Sequence, residues 1–307
     1  MSTPLKINKS GRITSRMTGR MNSMENHPCF SEKAHDKFGR IHLPVAPACN
    51  IQCRYCIRKY DCANESRPGV SSRVFTVQEA RERVSMLVER NEKISVIGIA
   101  GPGDPLANDA TFEVLNSINR EFPDLILCLS TNGLYLPDRL EDIVRAGVRS
   151  LTITINAVLP ETGTEIYSWI NYRGKKYTGT DAAEYLFANQ WRGLRNAIDA
   201  GLIVKINSVF IPGVNDEEIP LIACLAGDKG ADLMNIIPLI PQAEFSHLQR
   251  PTREMIHALR EECGKYIPQM THCKQCRADA CGTIGEDRDM ELEMLNARIG
   301  EEYCEMV

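Results

Sequence analysis

Three cysteines, Cys49, Cys53 and Cys56, lie close together in the stretch CNIQCRYC with the spacing C-x3-C-x2-C. A cubane 4Fe–4S cluster has four irons and usually takes four thiolates. Three thiolates would leave one iron open, and an open coordination position on a metal is a place for chemistry. A structural zinc ion is the alternative, since His42 or Cys62 could supply a fourth ligand.

The chain carries twelve cysteines, so nine lie outside this triad. An even number could form disulfides, but the N-terminus lacks the apolar core of a secretory signal. In a reducing cytoplasm, clustered cysteines are typical of metal ligands or catalytic thiols. Cys273 and Cys276, in the polar segment CKQC, have the spacing of a metal-binding or redox unit. Isolated cysteines on predicted helices are expected to be small buried hydrophobes, and these are Cys224, Cys263 and Cys304.

The composition is that of a soluble globular protein, with 307 residues, 43% hydrophobic and 25% charged. A net charge of -4 gives no sign of nucleic-acid binding, and no apolar run approaches the roughly 20 residues that cross a bilayer. We therefore expect a cytoplasmic protein with no nucleic-acid and no membrane partner. Residues 1–24 carry five basic residues and no acid, which predicts a flexible basic tail, with a transit peptide as the alternative.

Apolar runs of strand length alternate with helical periodicity along the rest of the chain. Strands are predicted within residues 40–49, 94–101, 125–133, 150–158, 203–213 and 233–241. Helices are predicted at 76–92, 110–122, 138–148, 181–200, 219–230 and 253–266, with a long insertion at 159–179. Thr76 and Glu79 have the spacing of a capping box at the start of the first helix. Six strand–helix units with continuously apolar strands predict an α/β fold whose parallel sheet is either open or a partial barrel.

Polar and glycine-rich motifs follow the predicted strands. CNIQCRYC follows the first strand, AGPGDP the second and STNG the third, while Asn156 ends the fourth and IPGVND the fifth. Active sites of parallel α/β folds lie at the carboxyl ends of the strands. We therefore expect these motifs to converge on one rim of the sheet.

The triad spacing, with Tyr55 just before the third cysteine, resembles the radical S-adenosylmethionine (AdoMet) superfamily. The resemblance implies a partial (β/α)6 barrel and an AdoMet-binding 4Fe–4S cluster on the triad, which cleaves AdoMet to a 5'-deoxyadenosyl radical. It implies that Tyr55 packs near the adenine and that the GPGDP turn meets the AdoMet amino group. The positions implied to bind AdoMet are Tyr55, Gly101, Gly103, Asp104, Ser130, Asn132, Asn156 and Ile211. The turn departs from the Gly-Gly-Glu usual in the superfamily at Pro102 and Asp104.

Two longer motifs, HLPVAPACNIQCRYCIRKYDCANESRPGV and CKQCRADACGTIGEDR, resemble the NifB family within that superfamily, in its short form without a NifX-like domain. The resemblance implies three 4Fe–4S clusters, one that binds AdoMet and two substrate clusters, K1 and K2. The implied ligands are Cys29, His42, Cys62 and Cys128 for K1, and Cys273 and Cys276 for K2. Cys281 departs from the family motif. Glu65 and Arg67 are implied to face the clusters, where Glu65 would ligate or move protons and Arg67 would offset cluster charge.

The same resemblance implies a reaction. One AdoMet methylates K2, a radical from a second AdoMet abstracts hydrogen from that methyl group, and K1 and K2 fuse around a carbide with a ninth sulfur. The product would be the 8Fe–9S–C precursor of the nitrogenase cofactor. Implied partners are iron–sulfur cluster donor proteins, an electron donor and downstream nitrogenase cofactor carriers.

Three segments are expected from this resemblance: the tail at 1–24, a barrel with its N-terminal extension at 25–272, and a cluster-binding segment at 273–307. Two other functions fit the same residues. One is a different radical AdoMet maturase with auxiliary iron–sulfur clusters, and the other is a non-catalytic iron–sulfur carrier.

Overall fold

The computed structural model describes residues 24–67, 69–90 and 93–285. Its centre is a sheet of six parallel strands that neighbour one another in chain order, with one short antiparallel strand at an edge. Numbered along the chain, these strands are β1 (Gly39–His42), β3 (Ile94–Ile99), β4 (Ile126–Thr131), β5 (Val148–Thr154), β8 (Ile203–Phe210), β9 (Leu233–Pro238) and the edge strand β10 (Cys281–Gly282). The sheet curls into a half-barrel, so the predicted α/β partial barrel is confirmed and the open sheet is not formed.

The six predicted helices are formed, and a further helix lies in the predicted insertion. They are α1 (Val77–Arg90), α2 (Asp109–Glu121), α3 (Leu136–Arg145), α4 (Pro160–Ile166), α5 (Gly179–Asp199), α6 (Glu218–Lys229) and α7 (Arg253–Cys263). The capping box of α1 is confirmed, because Thr76 N donates to Glu79 Oε2 at 2.8 Å and Glu79 N donates to Thr76 Oγ1 at 3.2 Å. These bonds satisfy main-chain donors that have no partner within the helix.

The predicted insertion at 159–179 is a structured element that holds the cysteine loop. It contains α4, β6 (Tyr167–Tyr172) and β7 (Lys175–Tyr177), and β6 pairs with β2 (Ile51–Cys53) in a second, antiparallel sheet. Asn171 N donates to Asn50 O at 2.7 Å, and Arg54 N donates to Ile166 O at 2.9 Å. The loop that carries the triad is therefore fixed by main-chain hydrogen bonds to a segment more than a hundred residues away in the chain.

Alternation along the parallel strands separates an apolar outer face from a polar inner face. Leu151 and Ile153 of β5, and Val204 and Ile206 of β8, are fully buried in the core against the helices. The alternate positions carry polar side chains that are also buried, among them Ser150, Thr152, Lys205, Asn207 and Asn235. Burial of one large aliphatic side chain contributes about 2 kcal/mol, so the outer face stabilises the barrel while the inner face is left for polar chemistry.

Residues 268–282, which we call the C-terminal strap, span the open side of the half-barrel. At one end Met234 N donates to Pro268 O at 2.8 Å, and Met270 N donates to Met234 O at 2.7 Å, so the strap pairs with β9. At the other end β10 pairs antiparallel with β1, where Ile41 faces Cys281. The strap thus runs from the last parallel strand to the first and carries Cys273 and Cys276 between them.

The predicted terminal segments lie largely outside the described residues. This applies to residues 1–23 of the tail and to residues 286–307, which include Cys304. The described chain begins at Met24, which is buried in a small apolar cluster with Val96 and Ile126. Within the described ranges, the helices are too short or too polar to span a membrane.

Candidate functional site

Two adjoining cavities lie at the carboxyl-terminal rim of the parallel strands. The first cavity, about 450 Å³ with its opening to solvent included, is lined by the cysteine loop and by the turns after β3 and β4. The second cavity, about 610 Å³ on the same basis, is lined by the inner faces of the strands, by the C-terminal strap and by Cys29 of the N-terminal extension. Both cavities are lined by Asn64, Glu65, Ala100 and Ser130, which therefore form a common wall.

The first cavity contains the whole cysteine triad. Cys53 ends β2, and Cys56 N donates to Cys53 O at 3.0 Å, which closes the loop into a turn. The Gln52 side-chain amide donates to both Cys53 O and Cys56 O at 2.9 Å. The three thiols are thus held by local turns and by the second sheet rather than by flexible chain.

The donor set of the first cavity fits an iron–sulfur cluster. Burial raises the pKa of Cys49 to about 11 and that of Cys53 well above its ordinary value, so both are neutral thiols until a metal displaces their protons. Burial opposes the charge of Arg58, yet the neighbouring Cys49 and Cys56 raise its pKa, which places a permanent cation beside the thiols. Asn50 Nδ2, next in the chain to Cys49, is buried and has no hydrogen-bond partner among the described residues. A buried donor of this kind fits an acceptor that the chain itself does not supply.

The side chains do not form a site for a single metal ion. Within residues 24–67, 69–90 and 93–285, no three His, Cys, Asp or Glu side chains converge on one point. A tetrahedral zinc ion requires such convergence, whereas a cubane cluster takes one thiolate at each of several separated irons. The zinc alternative stays a prediction.

Asp104 organises the turns around the triad. Its carboxylate accepts hydrogen bonds from Leu106 N at 2.9 Å, from Thr131 Oγ1 at 2.9 Å and from Asn132 N at 2.6 Å. Burial raises the pKa of Asp104 to about 6, although these hydrogen bonds lower it. The Asn132 side-chain amide in turn donates to Asn50 Oδ1 at 2.7 Å and lies 3.8 Å from Cys49 Sγ. Asp104 therefore positions the STNG turn, and the turn positions the first cysteine.

Glycine is required in the turn that carries Asp104. A Cβ on Gly103 would lie 2.1 Å from Ala48 O, so no side chain fits there. Gly101 has a φ of +153°, where L residues are strained. Asp104 N donates to Ala48 O at 2.9 Å, so the turn packs directly on the strand-to-loop connection before Cys49. The predicted contact of this turn with the AdoMet amino group stays a prediction.

Tyr55 and Asn156 form a buried hydrogen-bonded chain. The Tyr55 hydroxyl donates to Asn64 Oδ1 at 2.6 Å and accepts from Asn156 Nδ2 at 2.7 Å. Asn156 Oδ1 accepts from Val209 N at 2.8 Å, so both ends of that amide are engaged within the protein. Ile211 is fully buried, and its N donates to Asn215 Oδ1 at 2.8 Å. Tyr55 lines the first cavity, but Asn156 and Ile211 lie behind it, and their AdoMet contacts stay predictions.

The second cavity brings together five predicted ligands from distant parts of the chain. They are Cys29, His42, Cys128, Cys273 and Cys276. Burial raises the pKa of Cys29 to about 12 and also raises that of Cys128. Cys62, predicted with this group, lines the first cavity instead, close to Cys49 and Cys56. Its assignment to K1 stays a prediction.

The environment of His42 suits a metal ligand. His42 Nδ1 lies 3.0 Å from Arg277 O, and because a carbonyl oxygen only accepts, Nδ1 must carry the hydrogen. Burial lowers the pKa of His42 to about 4, so the ring is neutral and Nε2 presents a lone pair. A carbonyl behind the distal nitrogen is the usual way in which proteins orient an imidazole toward a metal. Gly98 makes room for the ring, since a Cβ there would lie 2.9 Å from His42 Cδ2.

Two buried cations in or beside the second cavity were not predicted from the sequence. Lys205 projects from the inner face of β8, where burial opposes its charge but Cys29 and Glu65 raise its pKa. Arg40 is 1% exposed, and its Nη2 donates to Cys276 Sγ at 3.0 Å. The sequence signal that could have identified Lys205 is a basic residue inside an apolar strand, IVKINSV, since a buried charge requires a partner.

Glu65 lies in the wall between the two cavities. It accepts a short hydrogen bond from Ser130 Oγ and another from Asn207 Nδ2 at 2.6 Å. Burial raises its pKa, against the opposing effect of Lys205. Arg67 is exposed, and its Nε donates to Gln275 O at 3.2 Å, which ties the cysteine loop to the C-terminal strap. The predicted role of Arg67 beside a cluster stays a prediction.

Three other cysteines of the described residues line neither cavity. Cys263 and Cys281 are buried in the main hydrophobic core, and Cys224 lies half-buried on α6. Cys281 sits in β10 opposite Ile41, so its place in the C-terminal motif reflects packing of the strap. Thr131 and Thr154, which line the first cavity, were not predicted because single threonines at strand ends carry no distinctive pattern.

Comparison with known proteins agrees with this geometry. The Radical SAM superfamily matches residues 43–225. The FeMo cofactor biosynthesis protein NifB of Klebsiella pneumoniae is 48% identical over 278 residues, which cover 88% of this chain and 59% of that protein. The NifB protein of Azotobacter vinelandii is 44% identical over 278 residues, which cover 88% of this chain and 55% of that protein.

The chain thus spans little more than half the length of these relatives. Among solved structures, Streptococcus suis SuiB bound to S-adenosylmethionine superposes with a TM-score of 0.54 at 12% identity. The superposition covers 89% of this chain and 58% of SuiB, and it concerns the fold alone.

Proposed function

The chain belongs to the radical SAM superfamily, and from that membership we propose that it is an iron–sulfur cofactor-assembly enzyme of the NifB type. In this proposal two 4Fe–4S substrate clusters, K1 and K2, are fused with insertion of an AdoMet-derived carbide and a ninth sulfur. The product is the 8Fe–9S–C precursor of the nitrogenase cofactor. The observation that carries the proposal is the second cavity, which brings four thiols and an imidazole to a wall shared with the triad cavity.

The first cavity would hold the resident cluster through Cys49, Cys53 and Cys56. When bound there, the cluster and AdoMet supply a methyl group and a carbon-centred radical. Asn132 orients Cys49, and Asp104 holds Asn132. The buried wall of the cavity excludes water, which protects a reactive species from side reactions.

The second cavity would hold the substrate clusters with few protein ligands. Cys273 and Cys276 on the strap are assigned to K2, and Cys29, Cys128 and His42 to K1, with Cys62 reaching K1 from the adjoining wall. A cluster that must fuse and leave cannot be held by four thiolates of one protein. The hydrogen bond from Arg40 to Cys276 Sγ supports this assignment, because it withdraws charge from the sulfur and weakens its bond to iron.

Glu65 is assigned to proton movement between the cavities. It faces both of them, and burial raises its pKa, which favours the protonated carboxyl and suits a group that takes up and releases a proton. Ser130 and Asn207 hold one of its oxygens, so the other is available to exchange the proton. Lys205 stabilises the ionised form from the side of the second cavity.

The proposal extends to the cellular setting. We place the enzyme in the cytoplasm with iron–sulfur cluster donor proteins, an electron donor and a downstream carrier of the nitrogenase cofactor. The oxygen sensitivity of iron–sulfur clusters and the number of free thiols support a reducing compartment.

The test is anaerobic reconstitution followed by reduction and addition of AdoMet, with S-adenosylhomocysteine and 5'-deoxyadenosine measured together. Wild-type protein is expected to form both, one from methyl transfer and one from radical formation. A Cys273→Ala/Cys276→Ala variant is expected to lose the first product and keep AdoMet cleavage. A Cys281→Ala variant is the matched control, since its thiol lies in the core of the same segment.

Other outcomes would favour the alternatives. 5'-Deoxyadenosine without S-adenosylhomocysteine, from fully iron-loaded protein, would contradict the NifB-type proposal and leave a different radical SAM maturase. No AdoMet turnover with normal cluster content would leave a non-catalytic iron–sulfur carrier.

A further inference from the structure

A basic cleft opens beside the second cavity on the open side of the half-barrel. Its space is about 1410 Å³, larger than either cavity described above. It lies between the end of β9, the first turns of α7 and the C-terminal strap. We call it the basic cleft because its lining includes Arg250, Arg253, His257, Arg260 and Lys274 and, among the described residues, no Asp or Glu.

The basic cleft is continuous with the second cavity. Asn235, Ile237, Cys273 and Lys274 line both spaces. One ligand of the strap, Cys273, is therefore reached from the cleft on one side and from the second cavity on the other. A molecule in the cleft would meet a proposed K2 ligand before any other cysteine.

Unpartnered donors at the base of the cleft point to an anionic occupant. Arg260 Nε and Gln275 Nε2 are buried without hydrogen-bond partners among the described residues. Burial lowers the pKa of Arg260, and no carboxylate of the described chain lies within ion-pair distance of it; its Nη2 donates only to Ile236 O at 3.2 Å. A half-buried guanidinium with a buried, unpartnered Nε is stabilised when an anion or acceptor reaches it.

The charge of the cleft is opposite to that of the whole chain, whose net charge is -4. The positive charges come from Arg250, Arg253, Arg260 and Lys274, and the exposed arginines lie at the rim. A cleft lined by one sign of charge concentrates ions of the opposite sign and speeds their arrival. The two unpartnered nitrogens, Arg260 Nε and Gln275 Nε2, are buried atoms of half-buried residues, which favours a small anion over an acidic protein.

We propose that the basic cleft is the route by which anionic, thiolate-ligated iron–sulfur clusters reach and leave the second cavity, guided by Arg253 and Arg260. The proposal rests on the proposed function, since it supplies the path for the substrate clusters. The basic cleft is then a site on the open side of the half-barrel, separate from the cluster ligands. It also gives the strap a second role, because Cys273 then lies at the junction of the route and the cavity.

The probe is a synthetic dianionic 4Fe–4S cluster with 2-mercaptoethanol ligands. Full-length protein is first loaded anaerobically with one cluster per chain, and the rate of further cluster uptake is then followed by absorbance at low and high potassium chloride. In wild-type protein the uptake is expected to slow as the salt rises, because salt screens the attraction. In an Arg253→Gln/Arg260→Gln variant it is expected to be roughly tenfold slower at low salt and nearly independent of salt.

Two further variants separate charge from folding. Arg145→Gln/Arg195→Gln removes two exposed arginines that line none of the three spaces, and it is expected to match wild-type protein. Arg260→Lys keeps the charge and is expected to keep the salt dependence. Thermal melting of each variant checks that the fold is intact.

Unchanged uptake in the Arg253→Gln/Arg260→Gln variant would overturn the proposal and leave the proposed function standing. Unchanged uptake of the synthetic cluster, with slower transfer from a cluster-carrier protein, would also overturn it and make the cleft a protein-docking surface. Wild-type protein that takes up no further cluster would contradict both the cleft and the proposed function.

Discussion

The two cavities share a wall but are built in different ways. The first cavity takes its three thiols from one eight-residue stretch, CNIQCRYC, and local turns fix their mutual positions. The second takes its proposed ligands from the N-terminal extension, from β1, from β4 and from the strap. Residue spacing along the chain brings the thiols of the first cavity together. The order of the strands in the barrel brings together the residues of the second.

This difference has a chemical consequence. A resident cluster needs permanent ligands. Ligands on one short loop keep their mutual distances even when the strands of the barrel move relative to one another. Substrate clusters need ligands that separate, and ligands on independent segments can release them. The neighbouring cations also lie on different kinds of element. Arg58 lies on the loop beside the first cavity, whereas Lys205 and Arg40 project from strands near the second.

The largest expected effect is loss of the first site alone. Cys49→Ala is expected to reduce 5'-deoxyadenosine formation to background, because a cluster with two protein thiolates is not retained in the form that binds AdoMet. Iron bound in the second cavity is expected to persist, since the five proposed ligands that line it lie outside the CNIQCRYC stretch. Iron content and electron paramagnetic resonance measure the two sites. Cys224→Ala, on the outer helix α6, serves as the control, and loss of all iron in Cys49→Ala would show that the sites are not independent.

Removal of Lys205 is expected to act on the second site only. Lys205→Met removes the buried cation that neighbours Cys29, Glu65 and Cys273. Cluster loading of the second cavity is expected to fall by about tenfold, because uncompensated negative charge is costly in a buried site. AdoMet cleavage at the first site is expected to stay near the wild-type level. Lys265→Met, at an exposed position, is the control, and equal losses at both sites would contradict the assignment.

Asp104 gives a pH-dependent test of how the first cavity is held together. Its folded-state pKa of about 6 lies above the ordinary value of 3.8, so folding favours the protonated carboxyl. The stability that this group contributes is fully present below about pH 4 and is lost as the pH rises through 6. The free energy of unfolding of Asp104→Asn minus that of wild-type protein is therefore expected to rise by up to about 3 kcal/mol between pH 4 and pH 8. Denaturant unfolding at several pH values measures this, and a constant difference would contradict the assigned pKa.

The smallest expected effect is at a position remote from both cavities. Thr76→Ala removes one half of the capping box of α1 and is expected to lower the free energy of unfolding by about 1 kcal/mol. Iron content and AdoMet cleavage are expected to be unchanged, because the helix packs on the outer face of the barrel. A change in either would mean that the outer face of the barrel is linked to the cavities more tightly than the packing indicates.

Much of the fold follows from local pattern. Six apolar strands and the helices between them were predicted within a few residues, because continuous apolar runs and period-3.6 hydrophobicity are properties of the local sequence. The insertion at 159–179 was not predicted as a sheet, because its partner β2 is three residues long and lies more than a hundred residues earlier. Pairing between distant short strands leaves no local signal.

The sequence by itself determined the triad, the alternation of strands and helices and the C-x2-C pair, since each depends on spacing or periodicity along the chain. Only the tertiary structure decided that Cys62 faces the first cavity, that Cys281 is core and that Glu65 stands between the two spaces. It also brought Arg40 to Cys276 across 236 positions of sequence. The physical reason is that thiols, carboxylates and cations interact according to their separation in space. The strap, which pairs with β9 at one end and with β1 at the other, fixes those separations.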